Sequence, residues 1–91
     1  MYYIYYTKRF QKSFSKVLSS GKVKRIDIET VVDILCKDNK LPEKYQNHKL
    51  HGEYDGYEEC HIKGDLVLIY KKKEEKLILI LVDLGSHSEL F

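Results

Sequence analysis

Two apolar runs near the C-terminal end constrain the fold of this chain more than any other feature of its sequence. The first, Asp65–Tyr70, is apolar after its first residue, and the second extends from Leu77 to Leu84. An unbroken charged cluster, Lys71–Lys76, separates them. Short apolar runs bounded by charged turns are typical of strands buried on both faces. The first run is therefore predicted to be a central strand and the second the last strand of the sheet, with the charged cluster turning the chain between them.

The N-terminal part of the sequence predicts one strand followed by two helices. Tyr2–Tyr6 is aromatic and β-branched, as strands are, and Thr7 stands at a helix N-cap position. Apolar residues then recur at helical spacing on one face; they are Phe10, Phe14, Val17 and Leu18. Gly21 fits the end of this helix, and a second helix is predicted from about Val23 to Cys36.

Short strands and turns are predicted for the rest of the chain. A polar connection leads to about His48, and Asp55-Gly56 is the usual signal of a two-residue hairpin turn. Lys63-Gly64 is predicted to form the next turn, and the tail Gly85–Phe91 has no strand pattern. The predicted order is βααββββ. Residues 1–91 are thus expected to form a single α+β domain, with two helices packed on one face of a small sheet.

Composition limits the class of protein. Charged residues make up 33% and hydrophobic residues 43% of the chain, which is ordinary usage for a globular protein. The two cysteines, Cys36 and Cys60, form no CxxC motif, and free thiols in the cytoplasm are the simplest interpretation. The longest apolar stretch is too short to span a bilayer, and no targeting segment is recognisable. A cytoplasmic location without membrane contact is therefore expected.

The net charge of +2 conceals a strongly basic N-terminal part. Seven cations precede the first acidic residue, Asp27; they are Lys8, Arg9, Lys12, Lys16, Lys22, Lys24 and Arg25. A positive face of this kind attracts the phosphate backbone of a nucleic acid or an acidic protein partner. The alternative is that these side chains are only the solvated surfaces of two helices, and charge alone favours neither interpretation.

Titratable side chains in the C-terminal half suggest proton-transfer chemistry. With the terminal aromatic, the candidate site residues are His48, His61, Asp65, His87 and Phe91. Side chains alternate along a strand, so His61 is expected on the face opposite Cys60 and Ile62, away from the core. Histidine titrates near neutral pH. Such acid-base groups beside a basic surface suit RNA cleavage, in which the 2′-hydroxyl of the RNA attacks the neighbouring phosphate.

Each candidate also has a simpler interpretation. His61 could be an ordinary surface histidine, Asp65 could close the turn before its strand, and Phe91 could pack as a hydrophobic plug. His48 and His51 form a His-x-x-His pair, so a zinc site is a further alternative, although such sites usually lie on a helix or include nearby cysteines. No Gly-x-Ser-x-Gly elbow or glycine-rich phosphate loop is present.

Four blocks of the second half keep the order and spacing of a known family. They are Lys44–Gly52, Gly56–His61, Gly64–Tyr70 and Leu84–Phe91. In these blocks the chain resembles the YafQ-type toxins of the RelE superfamily. The match extends from about Leu41 to Phe91, while residues 1–40 agree only in their strand-helix-helix layout and basic character. The resemblance implies a RelE-like fold with a mainly antiparallel, twisted sheet.

The resemblance implies the toxin of a bacterial type II toxin-antitoxin system. Such a toxin cuts mRNA in the ribosomal A site, needs no metal or other cofactor, and stops translation. Its implied partners are the ribosome with its mRNA and a cognate antitoxin, encoded beside the toxin, whose C-terminal part covers it. The implied catalytic positions are His48, His61, Asp65, His87 and Phe91.

A division of labour follows from the same resemblance. His48 and Asp65 are expected near the attacking 2′-hydroxyl, and His87 is expected to donate a proton to the leaving 5′-oxygen. His61 would orient the phosphate and Phe91 would position a base, although the individual roles could be exchanged.

Two positions depart from the family pattern. Many relatives have arginine where this chain has Glu58 and Asp83, and both replacements reverse a charge near a site that must hold a phosphate. A rival interpretation is therefore a weakly active or non-catalytic protein of the same fold, which acts mainly by binding its antitoxin or another protein target. Retention of all five site positions favours catalysis.

Overall fold

The computed structural model describes residues 1–91, which form five strands and three α-helices joined by loops and short 3₁₀ turns. The strands are β1 Tyr3–Tyr6, β2 His48–Lys49, β3 Glu58–Lys63, β4 Leu66–Lys73 and β5 Ile78–Ser86. The helices are α1 Lys8–Ser20, α2 Arg25–Cys36 and α3 His87–Leu90. The predicted βααββββ order is confirmed, and the short helix α3 follows it. None of these helices is both long enough and apolar enough to cross a membrane.

All five strands belong to one sheet, in the order β1-β5-β4-β3-β2. The first strand runs parallel to β5, and the other neighbours are antiparallel. The two apolar runs of the sequence become β4, in the centre, and β5, between β4 and β1. Both are therefore paired on both edges, which agrees with their composition.

The core lies between the sheet and the two N-terminal helices, which cover the same face, as predicted. Phe10 of α1 and Ile28, Val31 and Leu35 of α2 are at most 3% exposed. They pack in one cluster with the covered residues of the sheet, which include Cys60, Leu68, Tyr70, Leu79, Leu81 and Leu84. Burial of a leucine or isoleucine side chain contributes about 1.5–3 kcal/mol. This packing fixes one face of the sheet and leaves the opposite face for other groups.

Thr7 attaches the beginning of α1 to the sheet. Its hydroxyl oxygen accepts a hydrogen bond from the main-chain N–H of Phe10 at 3.0 Å. The same hydroxyl lies 3.0 and 2.8 Å from the carbonyl oxygens of Leu81 and Val82 on β5. At the other end, Gly21 ends α1 with a φ of 75°, which glycine adopts without strain. Both predicted boundaries of this helix are confirmed.

Helix α2 begins at Arg25 rather than at Val23. Lys24 is its N-cap, and the main-chain N–H of Lys24 donates to the Asp27 carboxylate at 3.0 Å. A lysine carries no side-chain acceptor of the kind that marks an N-cap in a sequence. This explains why the boundary was predicted too early.

The predicted two-residue hairpin at Asp55-Gly56 is wrong. A longer loop joins β2 to β3, and it contains a 3₁₀ turn at Gly52–Tyr54. The Tyr54 ring packs edge-on against Tyr57 and Phe91, with centroid distances of 6.4 and 5.4 Å. Tertiary packing of this aromatic ring therefore overrides the local turn signal.

The two central strands are longer than predicted. β4 continues through Lys71 to Lys73, so only Glu74–Lys76 of the charged cluster forms the turn. Leu77 has a φ of 54° and closes this turn, so β5 begins after it. At the other end β5 reaches Ser86, although no strand was predicted beyond Leu84. Backbone pairing with β4 extends the strand where the side-chain pattern gives no signal.

Candidate active site

His48, Glu59 and His61 form a compact cluster on the sheet face opposite the helices. His48 is paired with Glu59 across β2 and β3, and His61 follows on the same side of β3. His48 Nε2 is 2.5 Å from Glu59 Oε1, and His61 Nε2 is 4.0 Å from the same oxygen. The side chain of Glu59 is 3% exposed, against 52% for His48 and 27% for His61. A buried carboxylate thus lies beneath two accessible imidazoles.

Hydrogen bonding requires a proton between His48 and Glu59. His48 Nδ1 lies 3.0 Å from the carbonyl oxygen of Gln46, which can only accept, so Nδ1 carries hydrogen. His48 Nε2 faces the Glu59 oxygen, and a lone pair on each would repel the other unless one of them were protonated. The pair is therefore imidazolium with carboxylate, or imidazole with carboxylic acid. In either form His48 has no free ring nitrogen.

The second part of the site is the short helix α3, which a capping box holds in place. The Ser86 hydroxyl accepts from the main-chain N–H of Glu89 at 3.3 Å. In return the Glu89 carboxylate accepts from the Ser86 N–H at 3.0 Å and from its hydroxyl at 2.8 Å. These hydrogen bonds, with a smaller contribution from Lys16, lower the pKa of Glu89 to about 2. His87 is the first residue of the helix that they fix.

His87 and Phe91 present adjacent rings at the end of the chain. Their ring centroids are 4.8 Å apart, and Tyr54 packs against the edge of Phe91. The Tyr54 hydroxyl also lies 3.4 Å from the carbonyl oxygen of Leu90. Phe91 remains 47% exposed, so one part of its ring is supported by protein and the rest is open to a base. The hydrophobic-plug interpretation thus accounts for only part of the ring.

The strand register brings both parts of the site to one face. His61, Val67 and Gly85 are paired in a row across β3, β4 and β5, and two strand spacings amount to about 10 Å. A Cβ placed on Gly85 would meet the Leu90 side chain of α3 at 3.5 Å. Helix α3 therefore lies over β5 on the same side as the histidine cluster.

Asp65 lies beside His87 at the end of the β4–β5 ladder. Leu66 and Ser86 form the last pair of this ladder, and Asp65 and His87 are the residues that flank it. The Asp65 side chain is exposed and makes no hydrogen bond within the protein, so it does not close its turn as the simpler interpretation required. It lines a groove of about 740 Å³ between α1, α3 and the ends of the central strands. The histidine cluster lies outside this groove, on the sheet face opposite the helices, where the His48 and His61 side chains are accessible to solvent.

The chain has relatives of known type. The model of a family described as the bacterial toxin of type II toxin-antitoxin system, YafQ, matches residues 2–91. The chain belongs to this family. The mRNA interferase toxin YafQ of Escherichia coli K12 is 37% identical over 51 residues, which cover 56% of this chain and 53% of that protein.

Solved structures extend the YafQ relationship to the whole fold. A metal-bound toxin from Helicobacter pylori is 40% identical, with a TM-score of 0.90 and complete coverage of both chains. The toxin in an Escherichia coli DinJ-YafQ complex is 26% identical, with a TM-score of 0.86 and coverage of 100% of this chain and 99% of that one. The RelE-like α+β fold predicted from the sequence is therefore confirmed.

The two departures from the family pattern both have hydrogen-bond partners, and that of Asp83 is a cation. Asp83 is 6% exposed and accepts from Arg9 Nη2 at 2.8 Å and from the Ser13 hydroxyl at 2.7 Å. Glu58 points to the other side of β3 from Glu59 and accepts from the Asn47 amide at 3.2 Å. Neither carboxylate touches the histidine cluster.

The predicted basic residues of this YafQ-family chain are all exposed. Lys8 and Lys12 lie one helical turn apart on the same side of α1. Arg9 and Lys16 are in ion pairs with Asp83 and Glu89. The Arg25 guanidinium lies 5.1 Å from the ring centroid of Phe14. The other five basic residues have no acidic partner; they are Lys8, Lys12, Lys22, Lys24 and Arg25.

Sequence reasoning missed Glu59 and Tyr54 as parts of the site. Glu59 alternates with His61 on a strand, which placed it on the correct face, but nothing in the sequence paired it with His48. The signal for α3 was present, because Ser86 and Glu89 have the spacing of a capping box. No three His, Cys, Asp or Glu side chains in the protein are grouped so that they could hold a metal ion.

Proposed function

We propose that this protein is the toxin of a type II toxin-antitoxin system and acts as a ribosome-dependent endoribonuclease that cleaves mRNA in the ribosomal A site. The observation that carries the proposal is the cluster of His48, Glu59 and His61 on the same open face as His87 and Phe91. Membership of the YafQ family supports it, as does the name of the Escherichia coli relative, an mRNA interferase.

The reaction requires activation of a 2′-hydroxyl, stabilisation of the charged phosphate and protonation of the leaving 5′-oxygen. Asp65 is exposed and unpaired, which suits proton acceptance from the hydroxyl. His87 is exposed beside it, which suits proton donation to the leaving oxygen. Phe91 offers a ring on which a base can stack.

His48 and His61 are assigned to the phosphate. In the ion-paired form, Glu59 holds His48 as an imidazolium, whose positive charge stabilises a pentacoordinate phosphate. His61 lies beside it and orients the same group. The shared proton on His48 favours this electrostatic role over the position near the attacking 2′-hydroxyl that the family resemblance implied.

The partners follow from the same proposal. The ribosome and its mRNA are the target, and the basic residues of α1 and its connection to α2 contact RNA phosphates. The DinJ-YafQ complex of the Escherichia coli relative supports a cognate antitoxin as the protein partner. Because ribosomes and mRNA are cytoplasmic, the site of action is the cytoplasm.

The rival hypothesis is a non-catalytic binding protein of the same fold, and the contacts of Glu58 and Asp83 remove the main reason for it. It rested on Glu58 and Asp83 as misplaced negative charges near a phosphate site. Asp83 is neutralised by Arg9, and Glu58 faces Asn47 rather than the histidines. These contacts support the catalytic alternative.

Alanine substitution tests the proposal at each site position. Variants of His48, Glu59, His61, Asp65 and His87 should each lose growth arrest and cleavage of ribosome-bound mRNA, by tenfold or more for the proton-transfer groups. His51→Ala is the matched control, since His51 is exposed and makes no side-chain hydrogen bond. Full activity of the His87 variant would overturn the mechanism. Cleavage should persist in a chelator, and its loss there would favour a metal-dependent reaction.

A further inference from the structure

A buried tyrosine hydroxyl connects the core to the segment that carries His48. Tyr70 lies on the central strand β4 and is 1% exposed. Its hydroxyl donates to Asn47 Oδ1 at 2.5 Å and lies 3.4 Å from Glu58 Oε1. Asn47 Nδ2 in turn donates to the same Glu58 oxygen at 3.2 Å. The three side chains thus close a small ring of hydrogen bonds directly before His48.

Only one orientation of the Asn47 amide satisfies this ring. An ionised Glu58 can only accept, so the amide nitrogen must face it and the amide oxygen must face Tyr70. Burial is the main cause that raises the pKa of Tyr70, and the negative charge of Glu58 adds to it. The tyrosine hydroxyl therefore keeps its proton and remains a donor at every physiological pH.

The hydrogen bonds of Asn47 matter for the segment that carries His48, because only two residues of this segment pair with the sheet. Strand β2 comprises only His48 and Lys49. Gln46, whose carbonyl oxygen accepts from His48 Nδ1, has a φ of 47°, a left-handed conformation that a non-glycine residue seldom adopts unless neighbours hold it. Asn47 stands between this strained residue and His48. Fixing its side chain fixes the peptide from which the histidine ring projects.

We propose that Tyr70, Asn47 and Glu58 are positioning residues that hold the His48 imidazole against Glu59 and thereby set its direction toward the phosphate. The proposal rests on the function proposed above, because it is the activity of His48 that positioning would serve. It also gives Glu58 a role in this chain that an arginine at the same position could not fill, since arginine has no acceptor for the Asn47 amide.

Tyr70→Phe removes only the hydroxyl and is the direct test. The expected result is a fall in kcat of about tenfold with little change in KM, since a misplaced group loses transition-state contacts rather than substrate binding. The His48 ring signals in long-range ¹H–¹⁵N spectra should also change, with loss of the state in which both nitrogens are engaged. Tyr45→Phe is the matched control, because the Tyr45 hydroxyl makes no hydrogen bond.

A second pair of variants keeps the test decisive if Tyr70→Phe does not fold. Glu58→Met removes the acceptor at similar length and should reproduce the loss, whereas Glu58→Gln retains an acceptor and should restore kcat and the His48 signals. Unchanged His48 signals and kcat in both Tyr70→Phe and Glu58→Met would overturn the proposal, even if the unfolding midpoint fell.

The outcomes separate this proposal from the function on which it rests. A wild-type protein that cleaves no mRNA would refute the proposed function, and the His48 ring signals would still report whether the three residues position it. An active wild type whose His48 signals ignore the variants would refute positioning alone.

Discussion

At the scale of single residues, the chain places carboxylates where their charge is used for structure. Asp83, which the family resemblance marked as a departure, is buried and joins β5 to α1 through Arg9 and Ser13. Its charge is thus neutralised at the helix rather than directed at the phosphate. The sequence alone suggested a weakened site, because a sequence shows which residues are charged but does not show which residues they pair with in the fold.

Asp83→Ala should lower the free energy of unfolding by about 2 kcal/mol, because hydrogen bonds to a buried charged group are lost. Asp33→Ala is the control, since Asp33 forms an exposed ion pair with Lys37, the residue that follows α2. Its loss should change stability by less than about 0.5 kcal/mol. Urea denaturation measures both. Equal effects of the two substitutions would contradict the account of Asp83.

Cys60 should be inert in the folded protein. It is fully buried, and burial, with smaller contributions from Glu59 and Glu58, raises the pKa of its thiol from 9.0 to about 12. Because the folded pKa is raised, the stability gained by keeping the thiol neutral is complete below pH 9 and is lost as the pH rises toward 12. Mass spectrometry after alkylation at pH 8 should find Cys60 unmodified in the native protein and modified in urea. Rapid alkylation of Cys60 in the native protein would contradict this prediction and would show that the core around Cys60 opens.

At the scale of elements, hydrophobic periodicity was enough to predict β1, α1, α2 and the two central strands, since each buries a regular apolar pattern. It was not enough for the connection between β2 and β3, where packing of Tyr54 decides the conformation. The pairing of His48 with Glu59 depends on the register of a two-residue strand. No side-chain pattern specifies that register, so the sequence predicted the two histidines and missed the carboxylate between them.

Helix α3 should depend on the charge of Glu89. Its pKa is lowered to about 2, so the stabilisation of the capping box is complete above the usual value near 4.5 and is lost as the pH falls from there toward 2. Glu89→Gln should remove this dependence and increase the mobility of His87 and Phe91. NMR chemical shifts of these two residues, followed from pH 6 to pH 2, measure the effect. A transition of equal size in the Gln variant would assign the loosening of α3 to another group.

At the scale of the whole molecule, the sheet separates two tasks. One face carries the helices and the core, and the other carries the histidine cluster and α3. The parallel pairing of β1 with β5 makes β1 an edge strand of the sheet and brings α1, with its exposed lysines, alongside the strand that leads into His87. The sequence pattern predicted helices on one face of a sheet, and the family resemblance implied a mainly antiparallel one. The long-range pairing of the first and last strands leaves no local pattern from which it can be predicted.

The exposed lysines of α1, Lys8 and Lys12, should bind the phosphate groups of RNA. In a His87→Ala background, which prevents cleavage, substitution of Lys8 and Lys12 by alanine should weaken binding to single-stranded RNA. The slope of log affinity against log salt should fall by roughly 1.4. The control double variant replaces Lys40 and Lys76, which are exposed and without ion pairs, so the net charge is the same. Equal loss in both variants would indicate a general charge effect rather than a defined RNA contact.

The central claim is that this fold cuts mRNA on the ribosome with His87 as a working part. Primer extension on a defined mRNA in a ribosome-bound translation complex tests it most directly, with wild type, His87→Ala and His51→Ala at equal concentration. The account predicts a cut within the A-site codon for wild type and His51→Ala, and none for His87→Ala. Arrest of translation without any cut in the wild type would contradict it and would favour the binding protein instead.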